Sequence, residues 1–203
     1  MQHEKKISYY INIAKSLDIR RYEKKIRIAL LGSFTLNGIE ETLQAKCAEL
    51  NVGCITFVSG YNQYNQEILN STSDLYKFSP EISFLILDSR SILGKLFYFP
   101  YSIPEVERKI LVEKRISEIA SLIKSYTDKS KSKLIITNLL IPTYSPYGLY
   151  ETKVSYGLQE MINDFNSQLI KLVRTQESVY VYDFNGFVSH YGEKNTFDFR
   201  QFL

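Results

Sequence analysis

Residues 25–36 read KIRIALLGSFTL, and this stretch decides the fold. Residues 26–31 form a short, almost continuous apolar run that is rich in β-branched side chains, and the polar turn 32–35 ends it abruptly. Such a run is typical of a strand that is buried on both faces of a parallel sheet. In these sheets, ligands bind at the carboxyl edge, beside the point where the strand order reverses. The sequence therefore predicts that a ligand lies against residues 32–35.

Four further apolar runs alternate with helical patterns after this first strand. They predict strands over residues 54–59, 82–87, 133–137 and 179–182. Helices are predicted over residues 3–21, 39–50, 66–69, 105–126 and 152–174, and irregular connections over 71–80 and through Pro100 and Pro104. Five strands alternating with helices predict a parallel sheet covered on both faces, in the flavodoxin-like order 2-1-3-4-5. We expect a three-layer α/β/α domain over residues 25–203, preceded by a leading helical segment over residues 1–24.

The charge and the cysteine content argue against several classes of protein. The 203 residues carry 25 Lys and Arg against 22 Asp and Glu, and a net charge of +3 is too small to indicate nucleic acid or an anionic membrane as a partner. Cys47 and Cys54 suggest neither a metal cluster nor a disulfide framework, which suits a reducing compartment. No signal peptide and no membrane span is expected, because no apolar run approaches the roughly 18 residues that a span needs. We therefore expect a cytoplasmic protein, with the lysine-rich segment 124–133 as a solvated turn.

Polar residues follow the predicted strands and should meet at the carboxyl edge of the sheet. In chain order they are Gly32, Ser33, Thr35, Gly60, Tyr61, Asp88, Arg90, Asn138 and Asp183, with His190 further on. Hydroxyl, carboxylate, guanidinium, amide and imidazole groups together suit acyl transfer or phosphate recognition. No phosphate-loop, dinucleotide or HExxH motif occurs, and two histidines, His3 and His190, are too few for a histidine-rich metal site. A cation held by Asp183, Asp198 and His190 is a less favoured alternative, and we expect no metal.

Three stretches resemble the N-terminal domain of FkbH-like proteins. They are LGSFTL at residues 31–36, the long segment 60–91 and the segment 183–200. In the middle segment, a tyrosine-containing loop is followed by Gln66-Glu67-Ile68-Leu69, Ser73-Asp74-Leu75-Tyr76, Phe78 and Pro80-Glu81. The last segment resembles the family's D…G…D-x-R pattern through Asp183, Gly192, Asp198 and Arg200. The likeness is specific because the middle segment is long and irregular.

The resemblance implies an SGNH-hydrolase-like fold and a modular parent protein. In this family a phosphatase domain of the haloacid dehalogenase superfamily normally follows, so Mg²⁺ is expected only there and no cofactor is expected in this domain. Family members act on acyl or glyceryl groups delivered to carrier proteins, in polyketide or polysaccharide pathways. The implied partners are the chain's own downstream phosphatase domain, an acyl carrier protein and a small anionic acyl or glyceryl substrate.

The family's hydrolase motifs are only partly present. SGNH hydrolases need a serine nucleophile in a GDS turn, glycine and asparagine donors for the oxyanion, and a DxxH segment that supplies the base. Phe34 stands at the nucleophile position, and Arg90 replaces the oxyanion asparagine. Gly186, not histidine, lies three residues after Asp183, and only the glycine donor, Gly60, fits. Because a hydroxyl needs a base to take its proton, the resemblance implies a degenerate hydrolase site.

Three functions remain open from the sequence. The first is an accessory module that positions a substrate or a carrier protein for an adjoining phosphatase or transferase. The second is an active esterase or acyltransferase in which Ser33 or Thr35 attacks, His190 is the base and Asp183 orients that base. The third is a dimerisation scaffold that uses the N-terminal helix and exposed tyrosines.

Some of the candidate residues carry alternatives of their own. Arg90 suits a bidentate contact to the carboxylate or phosphate of a substrate, or an internal salt bridge to Asp88 or Glu81. Tyr61 and Tyr64 suit either packing of their loop or contact with the substrate. The predicted catalytic residues are Ser33, Asp183 and His190, and the predicted substrate-binding residues are Gly32, Thr35, Gly60, Tyr61, Asp88, Arg90 and Asn138.

Overall fold

The structure is a computed structural model that describes residues 6–143 and 145–196. The strands are β1 (Lys24–Gly32), β2 (Val52–Val58), β3 (Ile82–Ile86), β4 (Lys133–Thr137) and β5 (Val179–Tyr182). The helices are α1 (Ile7–Ser16), α2 (Ile39–Glu49), α3 (Tyr64–Leu69), α4 (Asp74–Phe78), α5 (Ser89–Leu93), α6 (Lys95–Tyr98), α7 (Glu105–Lys129), α8 (Leu158–Val173), α9 (Phe184–Tyr191) and α10 (Glu193–Thr196). Short 3-10 turns cover Ile19–Arg21, Pro100–Ser102 and Gly148–Lys153. The candidates His3, Asp198 and Arg200 lie outside the described residues.

The five strands form a parallel sheet in the order β2-β1-β3-β4-β5. β1 pairs with two neighbours, so that Ala29 lies opposite Phe57 of β2 and Ser83 of β3. The predicted α/β fold and strand order are confirmed, and β4 and β5 have the predicted bounds.

β1 lies at the centre of a core because its last five residues are all buried. On one face of the sheet, Ile28 and Leu30 belong to a cluster that is closed by Leu43 of α2. On the other face, Tyr126 of α7 is fully buried, and its hydroxyl donates a hydrogen bond of 2.7 Å to Ser83 Oγ. Helices therefore cover both faces of the sheet here, as the alternation of strands and helices predicts.

The leading segment packs on the rest of the chain through α1. Gly38, at the start of α2, has a φ of +83°, and a Cβ atom there would lie 2.2 Å from Ile7 Cδ1. Lys46 Nζ of α2 lies 5.4 Å from the centre of the Tyr10 ring of α1. The close approach of α1 to α2 therefore needs glycine at position 38.

Residues 71–80, predicted as irregular, contain the short helix α4. The Glu67 carboxylate of α3 accepts a hydrogen bond of 3.1 Å from the backbone N–H of Leu75, and Ser73 Oγ donates one of 2.7 Å to the Glu67 carbonyl. These bonds supply a partner for one of the N–H groups that a helix start leaves unsatisfied. The prediction was wrong because the bonds that support α4 come from Glu67 of α3, and the periodicity of residues 71–80 alone does not show such contacts.

Several other bounds differ from the prediction: α1, for example, covers Ile7–Ser16 and not residues 3–21, and β2 covers Val52–Val58 and not 54–59. The stretch through Pro100 and Pro104, predicted as a loop, contains α5 and α6. α7 continues to Lys129, so the first part of the lysine-rich segment is helix and not turn. α8 begins at Leu158 and not at residue 152, because Tyr156 has a φ of 55°. That left-handed conformation cannot continue a right-handed helix.

The chain divides into two compact units by its internal packing. The first unit comprises the residues up to Ile86 together with Ser125–Ile135, and the second comprises Leu87–Lys124 together with the residues from Ile136 onward. The first unit thus holds β1, β2 and β3, and the second holds α5, α6, α8, β5 and α9. Within the described residues, no helix is long and apolar enough to cross a membrane.

Candidate functional site

In the first unit, the end of β1 places Ser33 inside the protein. Ser33 is 1% exposed, and its backbone N–H donates a hydrogen bond of 3.1 Å to the Ile86 carbonyl at the end of β3. A Cβ atom on Gly32 would lie 3.0 Å from Leu36 Cδ2, so the turn folds closely over this glycine. Thr35 is exposed. The predicted nucleophile is therefore shielded from solvent, whereas its neighbour two residues later is accessible.

The turn after β2, also in the first unit, separates its two tyrosines. Tyr61 is 70% exposed, whereas Tyr64 is 7% exposed and packs inside. The Gln63 side chain folds back over Gly60, because a Cβ atom there would lie 2.4 Å from Gln63 Oε1. Of the two readings for these tyrosines, loop packing holds for Tyr64, and Tyr61 remains accessible to a ligand.

Ser59, which ends the strand predicted over residues 54–59, adds a feature that the sequence does not reveal. Its hydroxyl is buried and has no hydrogen-bond partner in the described part of the chain. Its backbone N–H donates a bond of 2.9 Å to the Leu30 carbonyl, so the strand itself is well paired. The sequence does not reveal this feature, because the absence of a partner for the Ser59 hydroxyl depends on the side chains that surround it in the fold.

In the second unit, Asp88 and Arg90 form an internal ion pair. Asp88 Oδ1 accepts a hydrogen bond of 2.8 Å from the backbone N–H of Arg90 at the start of α5. Arg90 Nε lies 3.1 Å and 3.0 Å from the two carboxylate oxygens, and Nη2 lies 2.5 Å from Oδ2. The hydrogen bonds that Arg90 donates to the Asp88 carboxylate outweigh the effect of burial and raise the pKa of Arg90. The internal salt bridge is thus present, and its partner is Asp88.

The alternative partner, Glu81, belongs to a different pair. Glu81 Oε1 lies 3.8 Å from Arg27 Nη2 in the first unit, where both side chains are about half exposed. Of the two acidic residues considered as partners for Arg90, Asp88 forms the pair, and the Asp88 carboxylate also caps the helix that Arg90 begins.

Asn138, at the end of β4, joins two elements of the second unit. It is 7% exposed, and its Nδ2 donates a hydrogen bond of 2.8 Å to Asp183 Oδ1. Its Oδ1 accepts a bond of 3.0 Å from the backbone N–H of Asn185. The Asn185 side chain in turn accepts a bond of 3.1 Å from the Ile141 backbone. Asn138 therefore holds the start of α9 in place.

Asp183 is the N-cap of α9. Its Oδ1 also accepts a bond of 2.9 Å from the backbone N–H of Gly186. A Cβ atom on Gly186 would lie 2.3 Å from Asp183 Oδ2, so any side chain there would have to displace the carboxylate. Position 186 is where the DxxH pattern has its histidine. Glycine at this position lets Asp183 act as a helix cap.

His190 lies at the other end of α9. Seven residues separate it from Asp183, which corresponds to about 10 Å along a helix axis. Its ring is exposed and contacts Tyr191, with 5.2 Å between the ring centres. The structure brings Asp183 together with Asn138 and Gly186, and it does not bring Asp183 and His190 together as an acid–base pair.

No group of three or more His, Cys, Asp or Glu side chains within residues 6–143 and 145–196 is placed to hold a metal ion. The cation alternative included Asp198, which lies outside that range.

Comparison with known proteins adds a family and a fold. The family model described as FkbH, N-terminal domain, matches residues 27–203. The chain is also similar to the N-terminal part of the protein BF1531 from Bacteroides fragilis, a structure that contains a phosphatase domain in complex with Mg. The TM-score is 0.78 at 18% identity, over 96% of this chain and 49% of that chain. The chain thus spans about half the length of that relative.

Two hydrolases share the fold. One is a lipase from a goat rumen metagenome, with a TM-score of 0.53 and 14% identity, over 78% of this chain and 80% of the lipase. The other is a catalytic mutant of an acetylxylan esterase from Geobacillus stearothermophilus, with a TM-score of 0.50 and 12% identity, over 81% and 80% of the two chains. No curated protein matches the chain. Identities this low establish a common fold and leave the chemistry open.

Proposed function

The chain belongs to the FkbH N-terminal domain family, and we propose that it is an accessory module of a larger enzyme. In this proposal it positions an acyl or glyceryl substrate, or the carrier protein that delivers it, for an adjoining phosphatase or transferase domain. Its own hydrolase activity is little or none. The similarity to a phosphatase-containing protein, over 96% of this chain and about half of the other, supports the modular arrangement. The Mg²⁺ requirement then belongs to the adjoining domain.

The placement of Asp183 is the observation that carries the weak-hydrolase part of the proposal. A serine hydrolase needs a carboxylate that orients the imidazole of its base. Here the Asp183 carboxylate caps α9 and accepts bonds from Asn138 and Gly186, while His190 lies at the far end of the same helix. Loss of an aligned base lowers hydrolysis by roughly 10²–10⁴-fold. The burial of Ser33 works in the same direction, because a buried hydroxyl is not presented to a substrate.

The substrate-binding part of the proposal rests on groups that stay accessible or are held rigidly. Thr35 and Tyr61 are exposed in the first unit. In the second unit, Asp88 holds the Arg90 guanidinium in one orientation. A fixed guanidinium suits recognition of a carboxylate or a phosphate, although its own carboxylate partner weakens the attraction. We expect the Arg90 guanidinium to orient a substrate and not to supply most of its affinity.

A covalent serine probe tests the proposal directly. The chain is incubated with a fluorophosphonate, alongside Ser33→Ala and the control Ser71→Ala, which changes an exposed serine. We expect no labelling of the unmodified chain while a commercial esterase is labelled in parallel. Labelling that Ser33→Ala abolishes and Ser71→Ala preserves would establish the esterase alternative, with Ser33 as the nucleophile.

The carrier and phosphatase parts need a separate measurement. The parent protein, with its further domain, is compared with the same protein lacking residues 1–203. We expect transfer of the acyl or glyceryl group to a carrier protein to fall at least about tenfold on deletion, because the substrate is no longer held near the catalytic domain. Hydrolysis of a small phosphate ester by the remaining domain should be unchanged. Equal transfer with and without residues 1–203 would refute the accessory role.

A further inference from the structure

An open groove in the second unit is lined by aromatic side chains and by a buried arginine. Its volume is about 530 Å³, and Tyr101, Tyr147, Tyr150, Val154 and Arg108 line it. Small-molecule sites generally have volumes of about 300–1,000 Å³, with apolar walls and a few polar groups. The groove therefore has the size and the lining of a ligand site.

The walls of the groove are held in place without a ligand. The hydroxyls of Tyr101 and Ser145 both donate hydrogen bonds to Glu151 Oε2, the second at 2.6 Å. The other oxygen of Glu151 accepts a bond of 3.3 Å from the backbone N–H of Gln159. The rings of Tyr101 and Tyr147 pack edge to face, with 4.3 Å between their centres. A site that is rigid before binding loses less entropy when a ligand arrives.

Arg108 is buried and is held by neutral groups. It is 4% exposed, and its Nε, Nη1 and Nη2 donate to the carbonyl oxygens of Tyr156, Ile103 and Ser155 at 3.0, 2.8 and 2.7 Å. A guanidinium has five N–H donors. These bonds leave two donors, one on Nη1 and one on Nη2, without a partner in the part of the chain that the structure describes. The Tyr101 ring also lies over the guanidinium, 5.3 Å from Cζ to the ring centre. Within the described residues, no carboxylate lies within ion-pair distance of Arg108; the pKa of Glu105 is lowered mainly by Lys109, with a smaller contribution from the charge of Arg108.

A buried cation normally has an anionic partner, because burial without one costs free energy. We propose that the groove binds a small organic anion, in which a carboxylate or phosphate contacts Arg108 and an aromatic or aliphatic body lies between the tyrosines. Paired donors on one guanidinium match the two oxygens of such a group. This proposal does not depend on the accessory function argued above.

The acidic side chains near the groove have partners of their own. Glu105 Oε1 lies 2.5 Å from Lys109 Nζ, and Glu151 is occupied by the bonds from Tyr101, Ser145 and Gln159. Lys109 Nζ also lies 5.3 Å from the centre of the Tyr156 ring. The negative charge of Glu151 lowers the attraction of the groove for an anion. Removal of that charge should therefore strengthen the binding of an anion.

Benzoate and phenyl phosphate are the probes, and neutral benzamide is their matched control. Binding to the whole chain is measured by ligand-observed saturation-transfer NMR and by titration at millimolar concentrations. We expect the anions to bind at least about tenfold more tightly than benzamide, because a charge-assisted hydrogen bond discriminates by more than one decade. Tighter binding of one anion identifies whether the site prefers carboxylate or phosphate. Equal binding of benzoate and benzamide, or no binding of either anion, overturns the proposal.

Substitutions in and outside the groove test whether benzoate binds there. Tyr150 and Tyr180 are both exposed, at 62% and 46%, and of the two only Tyr150 lines the groove. Tyr150→Ala should weaken benzoate binding by about fivefold, as loss of an aromatic contact does, and Tyr180→Ala should leave it unchanged. Arg108→Lys should reduce the preference over benzamide, because a lysine ammonium keeps the charge but lacks the paired donors, and Glu151→Gln should strengthen benzoate binding. If Arg108→Lys does not fold, the tyrosine pair decides: equal effects of its two variants overturn the proposal.

Discussion

Arg90 and Arg108 both lie in the first turn of a helix in the second unit, and they are held in opposite ways. Arg90 pairs with a carboxylate two residues earlier, at distances of 2.5–3.1 Å. Arg108 donates to three carbonyl oxygens, two of which lie 47 and 48 residues further along the chain. The charge of Arg90 is balanced by a neighbouring carboxylate, whereas Arg108 joins distant segments through neutral carbonyl groups. The difference teaches that a buried arginine can serve as a structural cross-link and still remain available for an anion.

The largest effect should come from Arg108→Ala. This change removes the donors of three carbonyl oxygens around a buried side chain, and each unsatisfied buried group costs about 1–3 kcal/mol. We expect the free energy of unfolding, measured in urea, to fall by about 3 kcal/mol or more. Arg115→Ala on the same helix is the control, because the Arg115–Glu118 pair is about one-third to one-half exposed. A loss at position 108 no larger than at position 115 would show that the cross-link contributes little.

Arg90→Ala should have a smaller effect. It leaves Asp88, whose side chain is 16% exposed, without its cationic partner. Because the lost pair is local and partly solvated, we expect the free energy of unfolding to fall by about 2 kcal/mol. Arg90→Lys keeps a charge near Asp88 and should recover about half of this loss. If Arg90→Ala destabilised the protein more than Arg108→Ala, the ranking of the two arginines would be reversed.

Asn138→Ala tests whether a neutral side chain can also join distant segments of the chain, as Arg108 does. Asn138 bonds Asp183 and the Asn185 backbone, and both bonds end at the start of α9. We expect a loss of about 1.5 kcal/mol, measured by thermal unfolding. Asn163→Ala is the matched control, since Asn163 is exposed and bonds only the Gln159 carbonyl; its cost should be below about 0.5 kcal/mol. Equal melting temperatures for the two variants would contradict the structural role of Asn138.

Glu151 gives the smallest effect, one that depends on pH. Burial by itself would raise the pKa of Glu151, but the hydrogen bonds from Ser145 and Tyr101 outweigh it and lower the pKa below its usual value of 4.5. A carboxyl whose pKa is lowered on folding stabilises the protein above the unfolded pKa, and that stability is lost as pH falls through the folded value. Wild-type stability should therefore decline below about pH 4.5, and the decline should be shallower in Glu151→Gln. Parallel pH profiles for the two proteins would count against this.

The sequence predicts the sheet well because each strand contains a short run of mostly apolar or aromatic residues. The bounds of β4 and β5 follow directly from KLIIT and VYVY. Helices α4, α5 and α6 were missed because they are only four or five residues long, which is too short for a helical period to register. Contacts from elsewhere support them: in α5, for example, Ser89 Oγ donates a bond of 2.7 Å to the Leu140 carbonyl.

The two arginines show where prediction of the site stops. An Asp88–Arg90 pair can be proposed from the sequence because the two residues are only two positions apart in the chain. Arg108 looks like any charged residue of the amphipathic pattern over 105–126, and its burial depends on carbonyl groups near residue 155. The arrangement of Asp183 over Gly186 could be predicted from the sequence only in part. The missing histidine is visible in the sequence, whereas the use of the carboxylate as a helix cap needs coordinates.

Gly38 gives an independent way to examine the dimerisation hypothesis. Its φ of +83° means that an added methyl group would strain the backbone, and the Ile7 side chain of α1 would have to move to make room for it. Gly38→Ala should therefore loosen the packing of the leading segment on α2 without altering any residue on the surface of α1. Trypsin would then cut at Lys15 at lower enzyme concentrations than in the unmodified chain. Ultracentrifugation of this variant would show whether a freed amphipathic helix is enough to bring two chains together.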